Sequence, residues 1–372
     1  MKVASIVVAD DALGTNALGL TGADAAQFEV RYNGTTGAPE LWFIGHADYE
    51  LDSTLDVTVS VNDSTVGATP DAQQSFQLAV SDVFDNKSIS LSNAGNLFNA
   101  GTGENWTVAG NGGNDTITTG GGADTVRGGI GDDTISTGAG HDTITFSGKG
   151  DGFDAIDGGS GFDRVIALAS NTVIGLQSIT GVEQISSNGF SNVSIAGSTL
   201  ANTLDFSSID LIGIGSIDGG AGNDVITGSA AADRIYGGAG DDRLIGGGGN
   251  DLLVGDQGHD TLTGGLGADT FAFLSARDSK VGALADILTE FFSAQGDIID
   301  LSALDASSKT KGDQTFDFIG SGAFTGIAGQ LRYEVGTDGN THVFGDTNGN
   351  FAPDFGIVIA GSLELQASNF VL

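Results

Sequence analysis

The chain contains no cysteine, so no disulfide can hold it together. It has three prolines and one methionine among 372 residues. Basic residues are scarce: 13 lysines plus arginines face 48 acids, a formal net charge of −35. Such a charge makes nucleic acid and anionic membrane surfaces poor partners. No apolar run reaches transmembrane length, so no membrane span is expected. The opening MKVASIVVADD has too short an apolar core for a secretory signal peptide. Catalytic signatures are absent as well. There is no H-E-x-x-H, and His46, His141, His259 and His342 are far apart in sequence. There is no G-x-S-x-G, no cysteine nucleophile and no phosphate loop ending in G-K-[ST]. No catalysis is expected of this chain.

Glycine is what the chain has in excess, 62 residues of it, and the glycines are periodic. Residues 219–272 read GGAGNDVIT, GSAAADRIY, GGAGDDRLI, GGGGNDLLV, GDQGHDTLT, GGLGADTFA, nonapeptides in unbroken succession. Asp returns at position six (Asp224, Asp233, Asp242, Asp251, Asp260, Asp269) and an apolar residue at position eight (Ile226, Ile235, Leu244, Leu253, Leu262, Phe271). A second series, residues 110–166, places Asp115, Asp124, Asp133, Asp142, Asp154 and Asp163 at position six. Spacing there is nine throughout, except between Asp142 and Asp154, where extra residues around Phe146-Ser147-Gly148 are expected to bulge from the coil.

The first six residues of each unit make a tight glycine turn and the last three a very short strand with one buried side chain. Repetition of turn and strand winds a solenoid. Two units close one coil, so residues eighteen apart stack at the inter-strand spacing of ~4.8 Å. Asp242 then lies beside Asp260, and Asp233 beside Asp251. Stacked carboxylates repel unless a cation lies between them. An all-oxygen, flexible, roughly six-coordinate site favours calcium over zinc or magnesium. The alternative is that each Asp caps the backbone of its own turn.

The pattern G-G-x-G-x-D-x-U-x resembles the RTX (repeats-in-toxin) calcium-binding β-roll of bacterial proteins exported by type I secretion. The resemblance implies multiple Ca2+ ions, ~8–10 if every stacked pair fills. It also implies a ligand set: the carbonyls of Gly237 and Ala239 with Asp242, and those of Asp256 and Gly258 with Asp260. The second repeat departs from the pattern, with Ser229, Ala230 and Ala231 where glycines are usual.

Outside the repeats, residues 1–84 alternate like strands, as in Phe28–Tyr32, Leu55–Val61 and Phe76–Val80, and predict a small antiparallel β-sandwich. The LTGADAAQFEV, DYEL and DVFDN segments resemble a cadherin-like repeat that begins inside its domain, with Asp10, Glu50, Asp82 and Asp85 at that family's calcium positions. Residues 85–109 read as a linker and capping turn with Trp106 and Val108. Residues 167–218 lose the regular acids and read as metal-free β-helical coils with Asn, Ser and Gly turns. Residues 273–372 leave the nine-residue register. A short helix is expected over 283–288 and strands over 297–301, 315–319, 330–335, 341–344 and 356–359. ADTFAF, GDIIDLSAL, AGQLRY, GDTNGN and the apolar end Phe370-Val371-Leu372 resemble the C-terminal domain of serralysin-type proteases, which implies an uncleaved type I secretion signal and the type I machinery as a partner. Asp346, Asn348, Asn350 and Asp354 alternate like an EF-hand loop, but Phe351 stands where that loop needs glycine, and a polar hairpin turn competes.

The expected fold is therefore all-β: a parallel β-roll or β-helix solenoid between an N-terminal β-sandwich and a β-rich C-terminal cap. The expected function is that of a secreted, extracellular calcium-binding protein, structural or adhesive. Its partner would be a cell-surface or extracellular glycan or protein. The competing reading is the non-catalytic part of a secreted hydrolase or epimerase.

Overall fold

The computed structural model describes residues 1–7, 16–45, 54–63, 71–79, 86–101 and 103–372. Asp10, Glu50, Asp82 and Asp85 of the cadherin-like resemblance, and His46, lie outside the described residues. The chain divides into two compact units, Met1–Phe84 and Asp85–Leu372. Among the described residues there is no α-helix, only short 3-10 turns at Ala25–Gln27 and Ala367–Asn369.

The first unit holds two antiparallel three-stranded sheets. One orders Lys2–Ser5, Pro39–Phe43 and Phe28–Tyr32, the other Asn16–Thr21, Thr54–Asp63 and Ala72–Ala79. Alternation along Thr54–Asp63 buries Leu55, Val57 and Val59 in one cluster with Phe28 and Leu41 of the other sheet.

The second unit is a parallel solenoid. One continuous 12-stranded sheet runs from Leu97–Asn99 through Thr116–Thr118, Arg234–Ala239 and Leu252–Gln257 to Phe370–Val371. The opposite face is two sheets, one from Asn86–Ser90 to Asp210–Ile212 and one starting at Thr203–Asp205. The break falls in the coils between the two acid series. Stacking is by eighteen where the register is unbroken: Ile226 pairs with Leu244 and Leu244 with Leu262 on one face, Ile235 with Leu253 on the other. Each position-eight side chain fills the interior. Ile117, Val126, Ile226, Ile235, Leu244, Leu253, Leu262 and Phe271 are all 0 % exposed. A coil is too thin to have any other core, so one apolar residue per half-coil carries the burial.

Several expectations need correction. Residues 86–109 are already solenoid: Asn86–Ser90, Leu97–Asn99 and Asn105–Ala109 are strands, with Lys87 paired to Trp106 and Val108 to Val126. Phe146 does not bulge. It ends the strand Thr143–Phe146 and is 1 % exposed, and the excursion begins only at Ser147, whose N–H donates to Asp151. Residues 286–290, expected to begin within a helix, are a strand, because Ile287 and Leu288 pair with Thr261 and Leu262 of the coil beneath. The pairing with a ready sheet edge overrides local helical preference.

Beyond the repeats, Asp286–Glu290 pairs with Phe355–Ile359, which continues into the antiparallel strands Thr341–Asp346 and Gln330–Val335. Phe370–Val371 lies along Ile298–Asp300. Both faces of the solenoid thus receive extra strands at their C-terminal end, which covers edges that would otherwise offer unpaired backbone.

Candidate metal centre

The position-six acids form ladders along the turns. The N–H of one Asp donates to Oδ1 of the Asp one coil later: Asp224 to Asp242 at 2.8 Å, Asp242 to Asp260 at 2.8 Å, Asp233 to Asp251 at 2.8 Å and Asp251 to Asp269 at 3.0 Å. In the first series Asp115 donates to Asp133 at 2.7 Å, Asp133 to Asp154 at 3.0 Å, Asp124 to Asp142 at 2.7 Å and Asp142 to Asp163 at 2.7 Å. All twelve predicted acids thus take their places in four ladders, two per series.

One carboxylate oxygen is used by the ladder; the other faces the turn. Oδ2 of Asp115, Asp133, Asp163, Asp224, Asp242, Asp251, Asp260 and Asp269 is buried without a hydrogen-bond partner, while the Thr119 and Thr137 hydroxyls stand by the carboxylates of Asp124 and Asp142. Buried polar atoms are nearly always partnered, so a row of orphans of one chemical type needs a shared explanation. Their surroundings are oxygen. A Cβ built at Gly219 would lie 2.5 Å from the Gly237 carbonyl oxygen and 2.6 Å from Asp224 Oδ2. One coil later, a Cβ at Gly237 would lie 2.5 Å from Asp242 Oδ2 and 2.8 Å from the Gly255 carbonyl oxygen. Glycine at these two positions leaves that space to a carboxylate and a carbonyl, whereas Thr119 and Thr137 stand at position one in two repeats of the first series. Such oxygens repel one another at close range and attract a hard cation, so the donor set fits calcium.

Burial pushes the carboxyls above their ordinary range, and neighbouring carboxylates push them further. Desolvation, then the charge of ladder neighbours, raises Asp133, Asp142 and Asp242 to about 6 and Asp251 and Asp260 to about 7, against the hydrogen bonds that hold them down. Asp154 reaches about 8 by the same causes.

The carbonyls of the ligand set that the resemblance implies sort by direction. Successive carbonyls along a strand-like turn point to opposite neighbours. Ala239 accepts from Gly222 N–H at 2.8 Å, and the Gly237 carbonyl faces Gly219, so both look back to the Asp224 coil. The gap between Asp242 and Asp260 is instead faced by the carbonyls of Gly255 and Gln257 from the later turn and of Gly240 from the earlier one. Gly258 lies against that Gly240 carbonyl. Asp256, paired with Gly238, takes a left-handed backbone (φ 63°) in a place where glycine is usual.

Five ladder members escaped the sequence reading, the first of them Asn96, whose N–H donates to Asp115 at 2.7 Å. Asp260 N–H donates to Asp286 at 3.0 Å, Asp269 N–H to Asp297 at 3.0 Å, and Asp163 N–H to Glu183 at 2.7 Å, while Asn202 N–H donates to Asp224 at 2.7 Å. Asp286 is 0 % exposed, its Oδ2 is an orphan, and burial followed by the charge of Asp260 raises it to about 8. Asp297 differs, since its Oδ2 accepts from Phe292 N–H at 2.7 Å. The signal was the half-motif acid-x-apolar, present in Asp286-Ile287-Leu288 and Asp297-Ile298-Ile299 without the glycine half.

Position five also builds ladders, running the opposite way. Asn223 Oδ1 accepts from Asp241 N–H at 3.1 Å, Asp241 from His259 N–H at 3.0 Å, and His141 Nδ1 from Phe162 N–H at 2.9 Å. Asn, Asp and His recur there because each offers a short acceptor. The Asp346–Asp354 loop resolves as a polar hairpin: Asp346 accepts from the N–H groups of Asn348, Gly349, Asn350 and Phe351, and Asp354 from Thr347. Among the described residues no group of three His, Asp or Glu side chains converges in a metal-binding arrangement; the metal-type geometry is the stacked pair with its carbonyls.

A family profile described as the RTX calcium-binding nonapeptide repeat (4 copies) matches residues 109–144, 212–244 and 236–271. Among solved structures, the AlgE6R3 subunit of the Azotobacter vinelandii mannuronan C5-epimerase is 35 % identical, with 40 % of this chain and 77 % of that one covered and a TM-score of 0.31. The AlgE6R2 subunit of the same enzyme is 29 % identical, with 48 % and 91 % covered and a TM-score of 0.30. Comparison with curated proteins gives no match. Both acid series of this chain carry RTX calcium-binding nonapeptide repeats.

Proposed function

We propose that the chain is a secreted calcium-binding repeat protein whose solenoid folds when calcium becomes available outside the cell, with a structural or adhesive role at the cell surface or in the matrix. The observation that carries this reading is the row of buried, unpartnered Oδ2 atoms in four ladders. At the inter-coil spacing, neighbouring carboxylates repel by about 3 kcal/mol each at an effective dielectric of ~20. Calcium, when bound, supplies the positive charge that reverses this term. The protein contributes the ladder bonds that aim each Oδ1 and the glycines that leave room beside each Oδ2. Folding and binding are then one equilibrium, and sites of extracellular type hold calcium at dissociation constants on the order of 10⁻⁴–10⁻³ M. In low-calcium cytosol the repeats stay unfolded and fit for export.

The C-terminal segment is read as a serralysin-like domain with a type I secretion signal, on the motifs from ADTFAF to GDTNGN. Residues 1–84 are read as cadherin-like, in keeping with two antiparallel sheets around Phe28, Leu41 and Val57. Both assignments are proposals, as is the non-catalytic reading. That last rests on recurrence: the carboxylate pairs repeat coil after coil, whereas an active site normally occurs once. Among the described residues no helix is long and apolar enough to cross a membrane.

Circular dichroism tests the central part. The purified chain in EGTA is expected to show little β-structure from the solenoid, with a cooperative gain as calcium is added. A full β-spectrum in EGTA at neutral pH overturns calcium-gated folding. Hydrolase or epimerase turnover by the purified chain on alginate or casein overturns the non-catalytic reading.

A further inference from the structure

Three of the four ladders begin on one local motif. Ser92, Ser198 and Ser229 stand four residues before Asn96, Asn202 and Asp233, in LSNAGNLFN, GSTLANTLD and GSAAADRIY. In each, the serine holds the side chain at position six. Ser92 Oγ donates to Asn96 Oδ1 at 3.0 Å. Ser198 donates to Asn202 Oδ1 from its N–H at 2.7 Å and its Oγ at 3.2 Å. Ser229 donates to Asp233 Oδ2 from its N–H at 2.7 Å and its Oγ at 2.9 Å. Each position-six residue then passes its own N–H forward, to Asp115, Asp224 and Asp251 at 2.7, 2.7 and 2.8 Å. Among the described residues no N–H of an earlier coil donates to any of the three side chains, so they are first rungs.

The oxygen left orphaned in Asp224, Asp242, Asp251, Asp260 and Asp269 is thus doubly bonded in Asp233. The backbone agrees. Gly220, Gly238, Gly247 and Gly265 take a left-handed conformation at position two, and none of the three serines does. Two of the three first rungs are amides, which carry no charge to neutralise. A first rung has a carboxylate neighbour on one side only, and its unsatisfied acceptor is met by a nearby hydroxyl and N–H, as Ser and Asn do at helix starts.

We infer that these serines are start caps of the acid ladders and take the place of calcium at the first rung, so that Asp233 and Asp251 share no ion although both belong to the nonapeptide register. The inference rests on the calcium reading of the ladders and says where that reading stops. It divides the position-six acids into ion-sharing members and a metal-independent starter. It also gives each capped ladder a first turn that needs no calcium to form.

Equilibrium dialysis against saturating calcium on the full chain tests it, with circular dichroism confirming that each variant is folded. Asp233→Asn is expected to bind as many ions as wild type, whereas Asp242→Asn binds at least one fewer. Loss of an ion in Asp233→Asn overturns the cap and leaves the ladders standing. No loss in Asp242→Asn overturns the ladders themselves. As an independent arm, Ser229→Gly frees Asp233 Oδ2 and is expected to gain one ion; an unchanged count overturns the cap.

Discussion

A single aspartate in this solenoid has two distinct oxygens. Asp242 Oδ1 receives the Asp224 N–H, and Asp242 Oδ2 has no protein partner although the residue is 2 % exposed. The first oxygen is a structural acceptor, and on the proposed reading the second is a ligand. Asp242→Ala removes both, so it is expected to weaken the sites on either side together and to leave the Asp224 N–H unsatisfied, which alone costs about 1–3 kcal/mol. A calcium titration that loses only one independent site, with its neighbours unchanged, would contradict this. The raised acids set a pH dependence for calcium-free protein. A carboxyl whose folded value lies at about 6 to 8, above 3.8 unfolded, binds protons more tightly when folded. Its folded state is fully favoured below pH ~4 and loses that advantage as pH rises through the folded values. In EGTA, residual β-structure is therefore expected to increase from pH 8 to pH 4.5. With calcium present the trend reverses, because ligands must be deprotonated to bind. Parallel pH profiles with and without calcium would refute the account.

At the scale of the element, a nonapeptide is a glycine turn, an acid and one buried apolar residue. Leu244 is stacked between Ile226 and Leu262 and is fully buried. Leu244→Ala is expected to cost about 2–5 kcal/mol in calcium-loaded denaturant unfolding, since the narrow coil cannot collapse onto the cavity. A change under 1 kcal/mol would show that position eight is not the core. Much of this element was legible in the sequence, because a strict period of nine places Asp and the apolar residue without any knowledge of the turn. The pairing by eighteen, Asp242 with Asp260, followed from geometry alone. The carbonyl directions did not, because Gly237 and Gly255 are identical in sequence and differ only in which coil they face. Asp286 and Asp297 escaped because loops of variable length replace the glycine half, so the ladder partners stand 26 and 28 residues apart instead of 18. The helix expected over 283–288 failed for the same reason, since the edge at Thr261-Leu262 decides the conformation there. Asp286→Asn provides a check. It is expected to lower the calcium count while leaving Asp224 and Asp242 competent, and an unchanged count would remove Asp286 from the ligand set.

For the whole molecule, a net charge of −35 with no disulfide makes neutralisation of the acidic turns the expected condition for folding. The 12-stranded sheet is continuous, whereas the opposite face breaks between Asp210–Ile212 and Thr203–Asp205. Strand pairing therefore joins the two acid series through one face only, while a single apolar core runs through both. Coils contact only their neighbours, so order propagates along the solenoid one coil at a time. Amide hydrogen exchange at the ladder N–H groups of Asp224, Asp242 and Asp260 tests the central claim most directly. These groups are bonded to the next carboxylate in the ladder, and that carboxylate holds its place only if its charge is neutralised. Strong protection in calcium and exchange near the unfolded rate in EGTA at pH 7.5 is the predicted result. Equal protection in both would contradict calcium as the element that holds the ladders.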